Sequence, residues 1–115
     1  PGKTWIWNGS TWSEPKLSTN PPLRIGASAA YDPGRGADVL FGGLGSAGKL
    51  LSDAWAWSGK SWSRLTEKTA PPVRAEAVMA YDASSNKLLL FGGSIQVISV
   101  GKGKNDLADS WLGGP

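Results

Sequence analysis

Tyr31-Asp32, followed eight residues later by Phe41-Gly42-Gly43, returns as Tyr81-Asp82 followed by Phe91-Gly92-Gly93, each element displaced by fifty positions. A unit that recurs at this spacing is one supersecondary structure used twice, and it must bury its apolar face against copies of itself. More of the chain follows the same displacement. Trp5, Trp7 and Trp12 correspond to Trp55, Trp57 and Trp62, Gly9 to Gly59, and Pro21-Pro22-Leu23-Arg24 to Pro71-Pro72-Val73-Arg74. The one departure in spacing is Asp53-Ala54-Trp55, which recurs as Asp109-Ser110-Trp111 after six extra residues, so the preceding loop accepts an insertion and lies on the surface.

The local chemistry of each unit is that of strands and turns. Asn8-Gly9 between two aromatic runs predicts a tight hairpin with a type I′ turn, and Ser58-Gly59 predicts its copy. Asn8-Gly9-Ser10 also matches a glycan acceptor pattern, but the turn already accounts for those residues. The Pro-Pro pairs cannot donate to a ladder and read as connectors. Small and apolar runs follow them, over 25–31 and 75–81. Val39-Leu40-Phe41 and Leu88 to Phe91 lack polar alternation, which predicts strands buried on both faces. Sixteen glycines and eight prolines in 115 residues suit this density of turns and leave little room for long helices. The expected class is all-β.

Together these residues resemble the kelch repeat: a Pro-Arg lead-in, a Tyr-Asp turn, a strand closed by Gly-Gly, a variable loop, an Asp-x-Trp strand and a last strand bearing Trp. The resemblance implies a portion of a kelch-type β-propeller, with four-stranded antiparallel blades standing radially around a channel. By position, innermost strands fall at 25–31 and 75–81, second strands at 38–42 and 87–92, third strands at 4–7, 53–57 and 109–112, and outer strands at 11–17 and 61–66. All of 1–115 is then partial propeller. Residues 4–17 are the outer hairpin of one blade, 25–66 a complete blade, and 75–112 the inner strands of a third. Kelch rings usually hold about six or seven blades, so the resemblance implies either further blades in a longer chain or head-to-tail self-association into a closed ring. Trp5 and Trp111 share one repeat position, and two such strands would compete if the ends merged into a single blade.

Composition restricts chemistry. With no His and no Cys, the chain lacks the commonest general base, the commonest metal ligand, thiolate nucleophiles and disulfides. The resemblance extends to galactose-oxidase-like copper oxidases and sugar mutarotases. Copper oxidation of that type needs His ligands and a Cys-modified Tyr, so any catalytic residues of such an enzyme would lie outside this sequence. No cofactor is expected. The net charge of +3 is scattered, which gives no case for nucleic acid, and no apolar run reaches membrane-spanning length. The sequence names no compartment for this soluble domain, with an extracellular or cell-surface setting favoured.

The expected function is a non-enzymatic interaction module that offers loops and a channel mouth to a protein or glycan. The alternative is a piece of a larger kelch-type enzyme or glycan-binding propeller. Seven Trp could form a sugar platform, but all fall on repeat positions, so they are expected to build blades. Arg24 and Arg74 begin innermost strands, where they are expected to bond carbonyls or carboxylates between blades, with ligand contact as the competing reading. Asp53 and Asp109 are expected to cap turns. Glu76 stands where the other copy has Gly26; alternation puts it on the face of Arg74, which predicts an Arg74–Glu76 pair and makes it a candidate channel group. The loop 94–106 is the remaining candidate for binding. Its Ile95, Val97 and Ile98 are more apolar than exposure requires, and Lys102 and Lys104 follow without the spacing of a phosphate-binding loop.

Overall fold

Two Trp-bearing segments open the structure, a computed structural model that describes residues 3–67, 69–95 and 107–114. Strands β1 (Ile6–Trp7) and β2 (Trp12–Ser13) pair antiparallel with Trp7 opposite Trp12. That register leaves a four-residue loop, so the predicted type I′ turn is not formed. Only Gly9 of the Asn-Gly pair has positive φ. The Asn8 side chain closes the loop instead, its Oδ1 accepting the N–H groups of Ser10 and Thr11, both at 2.9 Å. Ser58 does the same in the second copy, its Oγ accepting from Lys60 and Ser61. Side-chain mimicry of a turn replaces the backbone conformation that Asn-Gly allows.

The central sheet comprises β3 (Arg24–Ile25), β4 (Ser28–Asp32), β5 (Ala37–Gly45), β6 (Leu50–Trp57) and β7 (Trp62–Leu65). All its pairings are antiparallel: β3 and β4 both lie along β5, then β6, then β7 at the edge. A third sheet repeats the arrangement with β8 (Val78–Asp82), β9 (Lys87–Phe91) and β10 (Ser110–Gly113), in which β10 is an edge among the described residues. The protein is therefore all-β, built of antiparallel sheets. No helix among the described residues is long and apolar enough to cross a membrane.

Each expected innermost strand is interrupted. The run 25–31 divides between β3 and β4 because Gly26 turns the chain with φ 67°, and 75–81 shortens to β8 because Glu76 takes the same conformation with φ 61°. The second strand runs past Gly42 to Gly45, with a bulge between Phe41 and Gly43, and meets β6 through a short 3-10 turn at Ser46–Gly48. The expected loop after Gly43 is thus mostly hairpin. The Tyr-Asp turns are closed by their carboxylates: Asp32 Oδ1 accepts the Gly34 N–H at 3.0 Å, and Asp82 accepts from Ser84 and Ser85.

The central and C-terminal sheets touch along their inner strands. Ser28 Oγ donates to the Ala77 carbonyl at 2.8 Å, the Glu76 N–H to Gly26 at 2.7 Å, and the Gly43 N–H to Arg74 at 2.9 Å. This approach explains Gly-Gly. A Cβ on Gly42 would lie 2.7 Å from the Arg74 carbonyl oxygen, and one on Gly43 2.8 Å from that of Ile25. Val39 and Phe41 of one sheet, with Leu88 and Leu90 of the other, form the buried core. Burial on both faces does not hold throughout, since Leu40 and Leu89 are half-buried and Phe91 is exposed. Alternation survives because each central strand has one face against a neighbouring sheet and one against a thinner cover.

Candidate functional site

The recurrent Arg, Gly-Gly and Asp-x-Trp elements meet in one polar cluster per repeat. Arg24 donates from Nη1 and Nη2 to the two carboxylate oxygens of Asp53 at 2.6 and 2.8 Å, from Nη1 to the Gly42 carbonyl at 3.0 Å, and from Nε to Pro22 at 3.0 Å. Asp53 Oδ2 also accepts the Trp55 indole N–H at 2.7 Å. Residues i and i+2 share one side of a strand, which is why Asp-x-Trp brings carboxylate and indole together. The second copy is nearly superimposable in its bonds: Arg74 reaches Asp109 twice at 2.7 Å, Gly92 at 3.0 Å and Pro72 at 3.2 Å, while Trp111 donates to Asp109 at 2.6 Å.

Four of the five guanidinium N–H bonds are used in each cluster. The side chains of Arg24 and Arg74 are only 5% and 1% exposed. The paired hydrogen bonds from Arg24 hold the Asp53 carboxyl down to about 2, against the opposing effect of burial and with help from Trp55. Asp109 lies well below the usual carboxylate range for the same reason, Arg74 first and Trp111 second. These clusters correct two expectations. Asp53 and Asp109 are arginine partners rather than turn caps, and the side chains of Arg24 and Arg74 bond within their own repeat rather than between repeats.

Glu76 does not pair with Arg74. Its left-handed backbone breaks the alternation, so Arg74 turns inward to Asp109 while Glu76 is exposed. The conformation is one that non-Gly residues seldom adopt, and Gly26, its counterpart, has it as well. Ile95 is exposed, and Val97, Ile98, Lys102 and Lys104 lie outside the described residues. The sequence-derived candidates therefore do not converge: Arg24 and Arg74 are in separate internal clusters, Glu76 is near the first sheet contact, and Ile95 lies beyond β9.

Two features went unforeseen. Between the central and C-terminal sheets lies a cleft of about 470 Å³, lined by Phe41, Leu65, Met79, Leu90 and Trp111, with Arg35, Arg64 and Glu67 among its polar residues. The sheets touch at β4 and β8 and diverge toward β7 and β10, so the cleft is the open end of a wedge. Arg35 lies there beside the fully buried Asp32, Nε to Oδ2 3.2 Å, an ion pair whose angle falls short of a hydrogen bond. The second feature is apolar exposure. Trp55 is buried and Trp57, Trp62 and Trp111 are half-buried, but Trp5, Trp7 and Trp12 are exposed. Trp position in the repeat was legible, whereas cover is supplied by neighbours and was not. The chain matches no protein-family model, and a comparison with curated proteins finds no match.

Proposed function

We propose that this chain is a non-enzymatic scaffold and interaction module of the kelch-propeller type, whose sheets act as radially stacked blades and whose partner is protein. The observation that carries this reading is the wedge. Two sheets of like topology meet at their inner strands, splay at their outer ones, and use the same Arg–Asp–Trp cluster in each repeat. On this reading the first hairpin is the outer half of a preceding blade, and the C-terminal sheet is a blade that ends at its third strand. Scaffold duty absorbs the recurrent polar residues, and the sequence contains neither His nor Cys for the usual acid–base, thiolate or copper chemistry. Completion comes from further blades or from other copies.

A stack with uncovered ends is adhesive. Sedimentation velocity over a concentration series, with fluorescence of an apolar-surface dye, tests this. The expected result is association that rises with concentration and dye binding that falls as association proceeds. A monomer that melts cooperatively and binds no dye overturns the reading.

A further inference from the structure

We infer that the chain binds a second copy head to tail, the Trp5/Trp7/Trp12 face of one copy covering the Val78/Leu89/Phe91 face of the next. This rests on the scaffold reading and names the surfaces that serve it. Repeat equivalence carries the inference. In the central sheet, Ser28, Val39 and Phe41 lie on one face by register, since Ser28 pairs with Phe41 and Ala30 with Val39. That face is covered by the C-terminal sheet, with Ser28 6% and Phe41 5% exposed. The same face fifty residues later is Val78, Leu89 and Phe91, where Val78 is 67% and Phe91 46% exposed. Leu112, opposite Leu89 on β10, extends it and is also exposed.

The internal contact also shows what covers such a face. Across from Phe41 and Val39 stand Met79, Leu88, Leu90 and Trp111, the Trp-bearing side of the next sheet. At the other end of the molecule, Trp7 and Trp12 lie side by side with ring centroids 5.4 Å apart, and Trp5 falls on the same side by alternation. Trp5 is the counterpart of Trp111. The exposed indoles are therefore the surface type that the chain already uses against its aliphatic face, and only an intermolecular contact can bring the two ends together in this register. Three half-exposed indoles present on the order of 400 Å², as large as the greatest apolar patch on many monomers and about half of one partner's share in a standard interface.

Stacking also removes the competition between Trp5 and Trp111. The hairpin lies on the C-terminal sheet as the next layer, and does not take β10's place within it. The contact is heterologous, so it leaves one free head and one free tail after each addition.

Two single variants test this directly. Trp12→Lys disables the head, and Val78→Lys disables the tail; both positions are well exposed, and Leu112→Lys is a second tail variant. Each variant alone is expected to associate at least about 30-fold more weakly than the unmodified chain. Mixed at equal concentration, the head variant still has a tail and the tail variant still has a head. The mixture is expected to form a heterodimer of twice 12.0 kDa and to stop there. Unimpaired association of both tail variants alone, the sign of an indole face binding itself, overturns the inference. So does a mixture that stays monomeric while the unmodified chain associates, an outcome that leaves the scaffold reading standing. Hydrogen exchange on the unmodified chain needs no variant: concentration-dependent protection is expected at both 5–13 and 78–91, and protection at one alone is incompatible with the contact. A monomeric, dye-silent unmodified chain sinks both readings together.

Discussion

Replacing Asp53 by Ala is the sharpest test of what holds a repeat together. The change removes both acceptors from a guanidinium that is 5% exposed and leaves the Trp55 indole N–H without its carboxylate. Breaking a buried, hydrogen-bonded pair from one side costs about 3–5 kcal/mol, because the remaining charge stays desolvated. Domains of this kind have total stabilities of about 5–15 kcal/mol, so urea denaturation followed by Trp fluorescence should show a loss of a third or more. Arg24→Met with Asp53→Leu removes both charges, and the double variant should be more stable than Asp53→Ala. The pH dependence supplies an independent measure. Arg24 holds Asp53 from an ordinary 3.8 down to about 2. Because the folded value is the depressed one, the unfolded chain takes up the proton first. The stabilisation is fully present above about pH 4 and is lost as pH falls toward 2. The shift corresponds to about 2 kcal/mol, or about 1–2 kcal/mol after allowance for solvent screening. Asp53→Asn should flatten this part of the acid limb, leaving contributions of the same sign from Asp109 and Asp82. A loss below about 1 kcal/mol in Asp53→Ala, with an acid limb unchanged in Asp53→Asn, would refute the cluster's structural role.

Three other outcomes are expected. Gly42→Ala places a methyl 2.7 Å from the Arg74 carbonyl at a position with φ 68°, so it should lower stability by about 2 kcal/mol or more, measured by thermal melting. Glu76→Gly relieves a left-handed residue and should raise the urea midpoint by about 1 kcal/mol, with no change in acid sensitivity; a lower midpoint would show that the Glu76 side chain makes a stabilising contact. Asn8→Ala removes the acceptor that closes the first hairpin loop and should cost about 1 kcal/mol locally, seen as faster amide exchange at Ser10 and Thr11.

The repeat made strand positions and their order readable, because shared spacing averages out local ambiguity. Partner choice was not readable. Arg24 and Asp53 are twenty-nine residues apart, and only the path of β5 back along β3 brings them together. The counterpart of Glu76 did contain a usable signal: Gly26 at the same repeat position marks a positive φ, and alternation should not be carried through it. The turn at Asn8-Gly9 misled for the opposite reason, since a residue able to take positive φ can also close a loop by its side chain. Exposure of Trp5, Trp7 and Trp12 depends on what lies next to the hairpin, which no local pattern encodes.

The arginine clusters carry a consequence for how such a chain can grow. Every side-chain partner of Arg24 lies between Pro22 and Asp53, and every one of Arg74 between Pro72 and Asp109. A duplication that copies this span copies a finished polar network, with each buried charge already matched. Had the arginine reached into the neighbouring repeat, a new copy would begin with an orphaned charge at each junction, at a cost of several kcal/mol. Tandem expansion of this unit is thus gated by apolar fit between sheets alone, and the six-residue insertion before Asp109 shows that length can change inside the span while the charge match is kept.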